Sequence, residues 1–125
     1  MRMIGGKTSA GGHYSPGIVS RGMLYVSGQL PIDRTTGKIV AGGVEEQTKA
    51  ALCNLEKILT EAGVTKEAVV FCRVYIPDVE LWDAVNRVYA EFFGEHKPAR
   101  AVVPTGKLHH GALVEIEAVA ETEEE

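Results

Sequence analysis

Cysteine is scarce in this chain of 125 residues: Cys53 and Cys72 are the only two. Their separation, with no histidine nearby, does not match zinc-finger ligand spacing. Each lies in an amphipathic or apolar stretch, which predicts two buried, reduced thiols rather than a disulfide or a metal site. Long apolar runs are also missing. The longest spans a few residues, far short of the roughly 20 that a membrane-crossing helix requires. The N-terminal MRMIGGKTSAGG has no apolar core of signal-peptide length, so a cytoplasmic protein without a membrane partner is expected. Positive charge is in short supply, with 13 Lys and Arg against 17 Asp and Glu and a formal charge of -4. Part of the acidic excess sits in the terminal ETEEE, residues 121–125, which reads as a solvated tail. No basic stripe stands out, and no nucleic-acid partner is expected.

Several chemical signatures are absent as well. TTGK and PTGK end like a phosphate-binding loop but lack its first glycine, and no Gly-x-Gly-x-x-Gly occurs, so neither nucleotide fingerprint is present. Ser15, Ser20 and Ser27 have no nucleophile-elbow context, which argues against a serine hydrolase. His109 and His110 are adjacent; in an extended chain their rings point apart, and an exposed loop pair is expected. His13 and His96 have no evident partner.

What remains is the composition of an ordinary globular protein, 45% hydrophobic and 24% charged. One domain over 1–125 is expected, burying about two-thirds of its unfolded surface. After an irregular Gly-rich dozen residues, GIVS and MLYVSGQLP read as two strands broken at Arg21 and Gly22, and PIDRTTGKIV as a loop. From Val44 to Ala62 the spacing of Leu52, Leu55, Leu59 and Ala62 predicts a helix closed by Gly63. AVVFCRVYI reads as a strand with Val70, Cys72, Val74 and Ile76 on one side and Val69, Phe71, Arg73 and Tyr75 on the other. Asp78 suits the N-cap of a second helix with a stripe of Leu81, Val85, Tyr89 and Phe92, closed by Gly94. Strands around ARAVV and ALVEIEAVA follow. This order predicts an α+β sandwich, two helices on one face of a single sheet. Apolar side chains on both faces of the strands predict that copies of the chain cover the other face.

Arg100 and Glu115 interrupt those last apolar runs, in HKPARAVVPTGKLHHGALVEIEAVA. A guanidinium inside a strand needs a partner, and its planar donors suit a carboxylate. Glu115 and Glu117 share one strand face, roughly 7 Å apart. A structural salt bridge across the sheet is the commoner outcome of such a pattern. The alternative is a pocket with a carboxylate clamp and a proton acceptor.

The segments HYSPGI, LYVSGQLPIDRTTGKIV, VEEQTKAALCNLEKILTEAG, AVNRVYAEFFGEHKPAR and ALVEIEAVA together resemble the reactive intermediate deaminase family, RidA, also called YjgF. The resemblance runs from about Gly12 to Ala120 and implies a chorismate-mutase-like α+β fold. It also implies a homotrimer with sites between subunits, and hydrolysis of enamine/2-imino acids to 2-keto acids and ammonia without metal or cofactor. It places the carboxylate clamp on Arg100, the catalytic glutamate on Glu115 and a substrate-contacting tyrosine on Tyr14. Ser27, Gly28 and Gln29 would line the pocket, and Asn86 matches a recurrent asparagine. Val102 stands where the family often has cysteine, which excludes a mechanism through that thiol. Pro104 to His109 replaces the family's Glu-Val-Ala-Arg-Leu-Pro and bears on substrate choice. The rivals are a sister deaminase acting on an aminomuconate or aminoacrylate type of substrate, an RNA-cleaving translation inhibitor and a non-catalytic metabolite-binding trimer.

Overall fold

The computed structural model describes residues 1–6 and 11–124. Its elements run β1 (Arg2–Ile4), β2 (Gly17–Ser20), β3 (Met23–Gln29), α1 (Val44–Glu61), β4 (Val69–Ile76), α2 (Trp82–Phe93), β5 (Ala99–Pro104) and β6 (Glu115–Glu121). The six strands form one sheet in the order β1-β2-β3-β6-β4-β5. Every neighbouring pair is antiparallel except β4 and β5, which run parallel with α2 as the crossover.

β2 and β3 join through Arg21 and Gly22, both left-handed at φ 51° and 77°, a turn whose twist matches that of the strands it joins. α1 starts where the Gly43 N–H donates to Glu46 Oε1 at 2.8 Å and stops before Gly63, at φ 82°. Leu52, Leu55 and Leu59 of α1 meet Val85 and Phe93 of α2 and Leu24, Val74 and Ile116 of the sheet in one buried core. Truncating fully buried Leu55 to Ala would cost about 2–5 kcal/mol. The α+β sandwich with both helices on one face is therefore present, in the chorismate-mutase-like form.

Several expectations need correction. Arg2–Ile4 pairs with β2 instead of being irregular; residues 7–10 lie outside the described residues. The acidic tail is not wholly solvated: Glu121 ends β6, and Arg2 grips both carboxylate oxygens of Glu124. Glu125 lies outside the described residues. Cys72 is buried but Cys53 is exposed, because it sits off the Leu52, Leu55, Leu59 stripe. In β4 the alternation breaks: the register shifts between Val69 and Phe71, so Val69 joins Cys72, Val74 and Ile76 inside and Val70 is left outside. Asp78 accepts from the Glu80 N–H and caps a 3-10 turn that leads into α2 at Trp82. Phe93, rather than Phe92, is the buried aromatic at that helix's end. β6 starts at Glu115 rather than at Ala112, and just before it Gln47 of α1 takes the Leu113 N–H at 2.8 Å.

Candidate active site

Strand register decides which way each charged group points. Cys72 of β4 pairs with Arg100 of β5 and with Ala118 of β6, and Cys72 lies in the helix-covered core. Arg100 therefore projects toward α2. There its Nη1 donates to Asn86 Oδ1 at 2.8 Å. Its guanidinium carbon lies 4.8 Å from the Tyr89 ring centre and 5.4 Å from that of Trp82. No carboxylate among the described residues pairs with it. A cleft of about 340 Å³ beside it is lined by Asn86, Tyr89, Phe93, His96 and Lys97. His96 is not without a partner: its ring Nε2–H donates to the Val69 carbonyl at 2.7 Å.

The glutamates face the other way. Glu115 pairs in register with Tyr75 and Glu117 with Arg73, on the sheet face that the helices leave open. Glu117 accepts from the Tyr75 hydroxyl and lies 3.3 Å from Arg73 Nη1. Glu115 has no such partner among the described residues. Its carboxyl is pushed above the ordinary carboxylate range by burial and then by the neighbouring Glu117, against an opposing pull from His109. A bulge at Ser27 and Gly28 of β3 lies beside it. A methyl group on Gly28 would collide with Glu115 Oε2, so this glycine makes room for the carboxylate.

The remaining expected residues divide between the two sides. Ser27 donates its hydroxyl to the Ser15 carbonyl at 2.7 Å, tying β3 to the segment that carries Tyr14. Tyr14 itself is 57% exposed. Gln29 is buried and donates to the Ser27 carbonyl. Asn86 stands with Arg100, and Val102, two residues along the same face of β5, is partly buried against the core. The salt bridge of Arg100 with Glu115 or Glu117 does not form within one chain, since the groups lie on opposite faces. Glu117 pairs with Arg73 instead. His109 and His110 are both exposed, yet their rings meet at 3.8 Å, because His110 is left-handed at φ 59° and the chain there is not extended. Among the described residues no cluster of three or more His, Cys, Asp or Glu side chains is placed to hold a metal.

Residues 6–122 match the family model described as Endoribonuclease L-PSP. The chain belongs to the RidA/YjgF family. A RutC family protein of Pyrococcus abyssi is 44% identical over 109 residues, covering 87% of this chain and 86% of its own. Human 2-iminobutanoate/2-iminopropanoate deaminase is 38% identical over 109 residues, 87% of this chain and 80% of the human one. The crystal structure of E. coli TdcF with bound serine is 31% identical and matches with a TM-score of 0.91, over 98% of this chain and 100% of its own. Within the RidA/YjgF frame, Trp82 and Tyr89 are the groups at Arg100 that sequence reasoning took only for core. Their spacing from Asn86 along one helix was the available signal.

Proposed function

We propose that this chain is a hydrolytic deaminase that converts enamine/2-imino acids, such as 2-iminobutanoate and 2-iminopropanoate, to 2-keto acids and ammonia. The observation that carries this reading is a partly buried guanidinium, on Asn86 and two aromatic rings, with no carboxylate of its own. Such a group is an open place for a substrate carboxylate. E. coli TdcF holds serine, an α-amino acid with the carboxylate and α-nitrogen of a 2-imino acid, and the human relative carries the deaminase name.

Arg100 and Glu115 lie on opposite faces of one sheet, so no small substrate reaches both within a single chain. The reading therefore places the site between two copies of a homotrimer, with Arg100 and Asn86 from one and Glu115, Gly28 and Ser27 from the next, and Tyr14 at the rim. Arg100 binds the carboxylate. A water adds to the iminium carbon while Glu115, as carboxylate, takes a proton from it and returns it to the nitrogen. The C–N bond of the resulting carbinolamine then breaks as the hydroxyl proton leaves through Glu115. Iminium and water become 2-keto acid and ammonium, and charge balances without an oxidant. Orientation and charge complementarity suffice because an iminium carbon is already electrophilic. The formal charge of -4 weighs against an RNA substrate.

The test is a coupled assay with a threonine dehydratase and semicarbazide, following 2-ketobutyrate release. Wild type accelerates release, and Arg100→Ala loses about 100- to 1,000-fold in kcat/KM. No acceleration by wild type contradicts the reading; ligand affinity without turnover would make the cleft a binding site alone.

A further inference from the structure

Arg100 is held almost entirely by one stripe of α2. Trp82, Asn86, Tyr89 and Phe93 follow at steps of four, three and four residues, which stacks them along one side of the helix. Asn86 takes one guanidinium N–H. The Tyr89 ring lies under the guanidinium carbon, and Trp82 stands farther off. Tyr89 is itself immobilised: it is 6% exposed, and the Phe93 ring packs on it at 4.8 Å, tilted 52°. Its hydroxyl has no hydrogen-bond partner at normal distance among the described residues. Beside it lie the Cys72 thiol, a weak partner, and Arg100. An unpartnered buried hydroxyl is a cost to the fold, so the contribution of this side chain has to come from its ring.

We propose that Tyr89, seconded by Trp82, is the positioning residue for Arg100: its ring face fixes the guanidinium plane so that the donors left free by Asn86 meet the substrate carboxylate already oriented. This rests on the reading of Arg100 as the carboxylate clamp. An arginine held in place loses less rotamer freedom when the ligand arrives. Loss of the ring face weakens the ground state and the transition state alike, because the carboxylate is bound in both. The effect therefore belongs to KM.

The experiment compares Tyr89→Leu, Tyr89→Phe, Trp82→Leu and Arg100→Ala in steady-state imine hydrolysis. It is read together with the nitrogen-15 NMR signal of the Arg100 Nε–H, which two ring faces displace. Tyr89→Leu raises KM about 3- to 30-fold with kcat within about threefold, and relaxes the Nε–H shift. Tyr89→Phe keeps both KM and shift, since it keeps the ring. Trp82 is 36% exposed, so Trp82→Leu leaves the fold intact and raises KM by a smaller factor; it carries the test if Tyr89→Leu does not fold. An unchanged KM in Tyr89→Leu overturns the proposal, as does an equal rise in Tyr89→Phe or, where only it folds, an unchanged KM in Trp82→Leu. If Arg100→Ala hydrolyses imines as fast as wild type, the clamp reading fails separately. The Nε–H signal then decides the hold by itself, and a shift indifferent to Tyr89→Leu overturns it.

Discussion

Two arginine–glutamate sets lie within two strands of each other, and they are built differently. On the open face of the sheet, Arg73, Tyr75 and Glu117 satisfy one another, and the Phe71 ring lies 5.1 Å from the Arg73 guanidinium carbon. Arg100 and Glu115 are each one strand or two residues away, yet neither has an ionic partner among the described residues. The first set is a closed network of the kind that proteins use structurally. The second leaves a cation and a carboxylate facing outward in opposite directions. A partly desolvated charge kept without a counterion costs stability, and the proposed function answers that cost with a substrate carboxylate at Arg100 and a neighbouring copy at Glu115.

Substitutions at matched positions sharpen this contrast. Arg100→Ala should lose about 100- to 1,000-fold in kcat/KM. Arg73→Ala should stay within about threefold in kcat/KM, since Arg73 and Glu117 already satisfy each other. A large activity loss in Arg73→Ala would erase the distinction between the two sets.

The glutamates provide the next comparison. Glu115→Gln should lower kcat about 100-fold with little change in KM, and Glu117→Gln only severalfold. In the wild type the raised pKa of Glu115 places the acid limb of kcat/KM above the usual glutamate range, and activity falls as pH drops through it. Glu117 is the second cause of that rise, after burial, so Glu117→Gln should move the limb to lower pH. The stability sign is opposite to that of a salt-bridged carboxylate. The folded state holds the Glu115 proton more tightly than the unfolded chain does, so ionisation disfavours the fold as pH rises through that raised pKa. Glu115→Gln should then raise Tm more at pH 7 than at pH 4. An equal gain at both pH values would remove the buried charge as its cause.

Gly28→Ala should cost less than either Arg100→Ala or Glu115→Gln, about 10-fold in kcat. Gly28 has no left-handed φ, so alanine fits its backbone, while the added methyl displaces the flexible end of Glu115. A fall in thermal stability without loss of rate would show that Gly28 serves packing alone.

Much of this was legible in the chain itself. The leucine spacing of α1 gave its start correctly and its end within one residue, and the interruptions of apolar runs at Arg100 and Glu115 singled out two charged side chains that have no ionic partner among the described residues. The direction they face was not legible, because shifting a strand pairing by one residue reverses every side chain, and both neighbours of Arg100 are small and apolar. The bulge at Val70 reversed Val69 for the same reason. β1 escaped notice because three residues carry almost no periodic signal. The stacked histidines required knowledge of one left-handed residue.

The central claim is that Arg100 and Glu115 act together only across two copies of the chain. It is tested most directly by subunit complementation: Arg100→Ala and Glu115→Gln proteins, each nearly inactive, are dissociated, mixed in equal amounts and reassembled. If each site takes its arginine from one copy and its glutamate from the next, a quarter of the sites regain both residues, and activity returns to about 25% of wild type for random cyclic assembly. A mixture no more active than the mean of its two parents, with exchange verified by mass, would contradict the account.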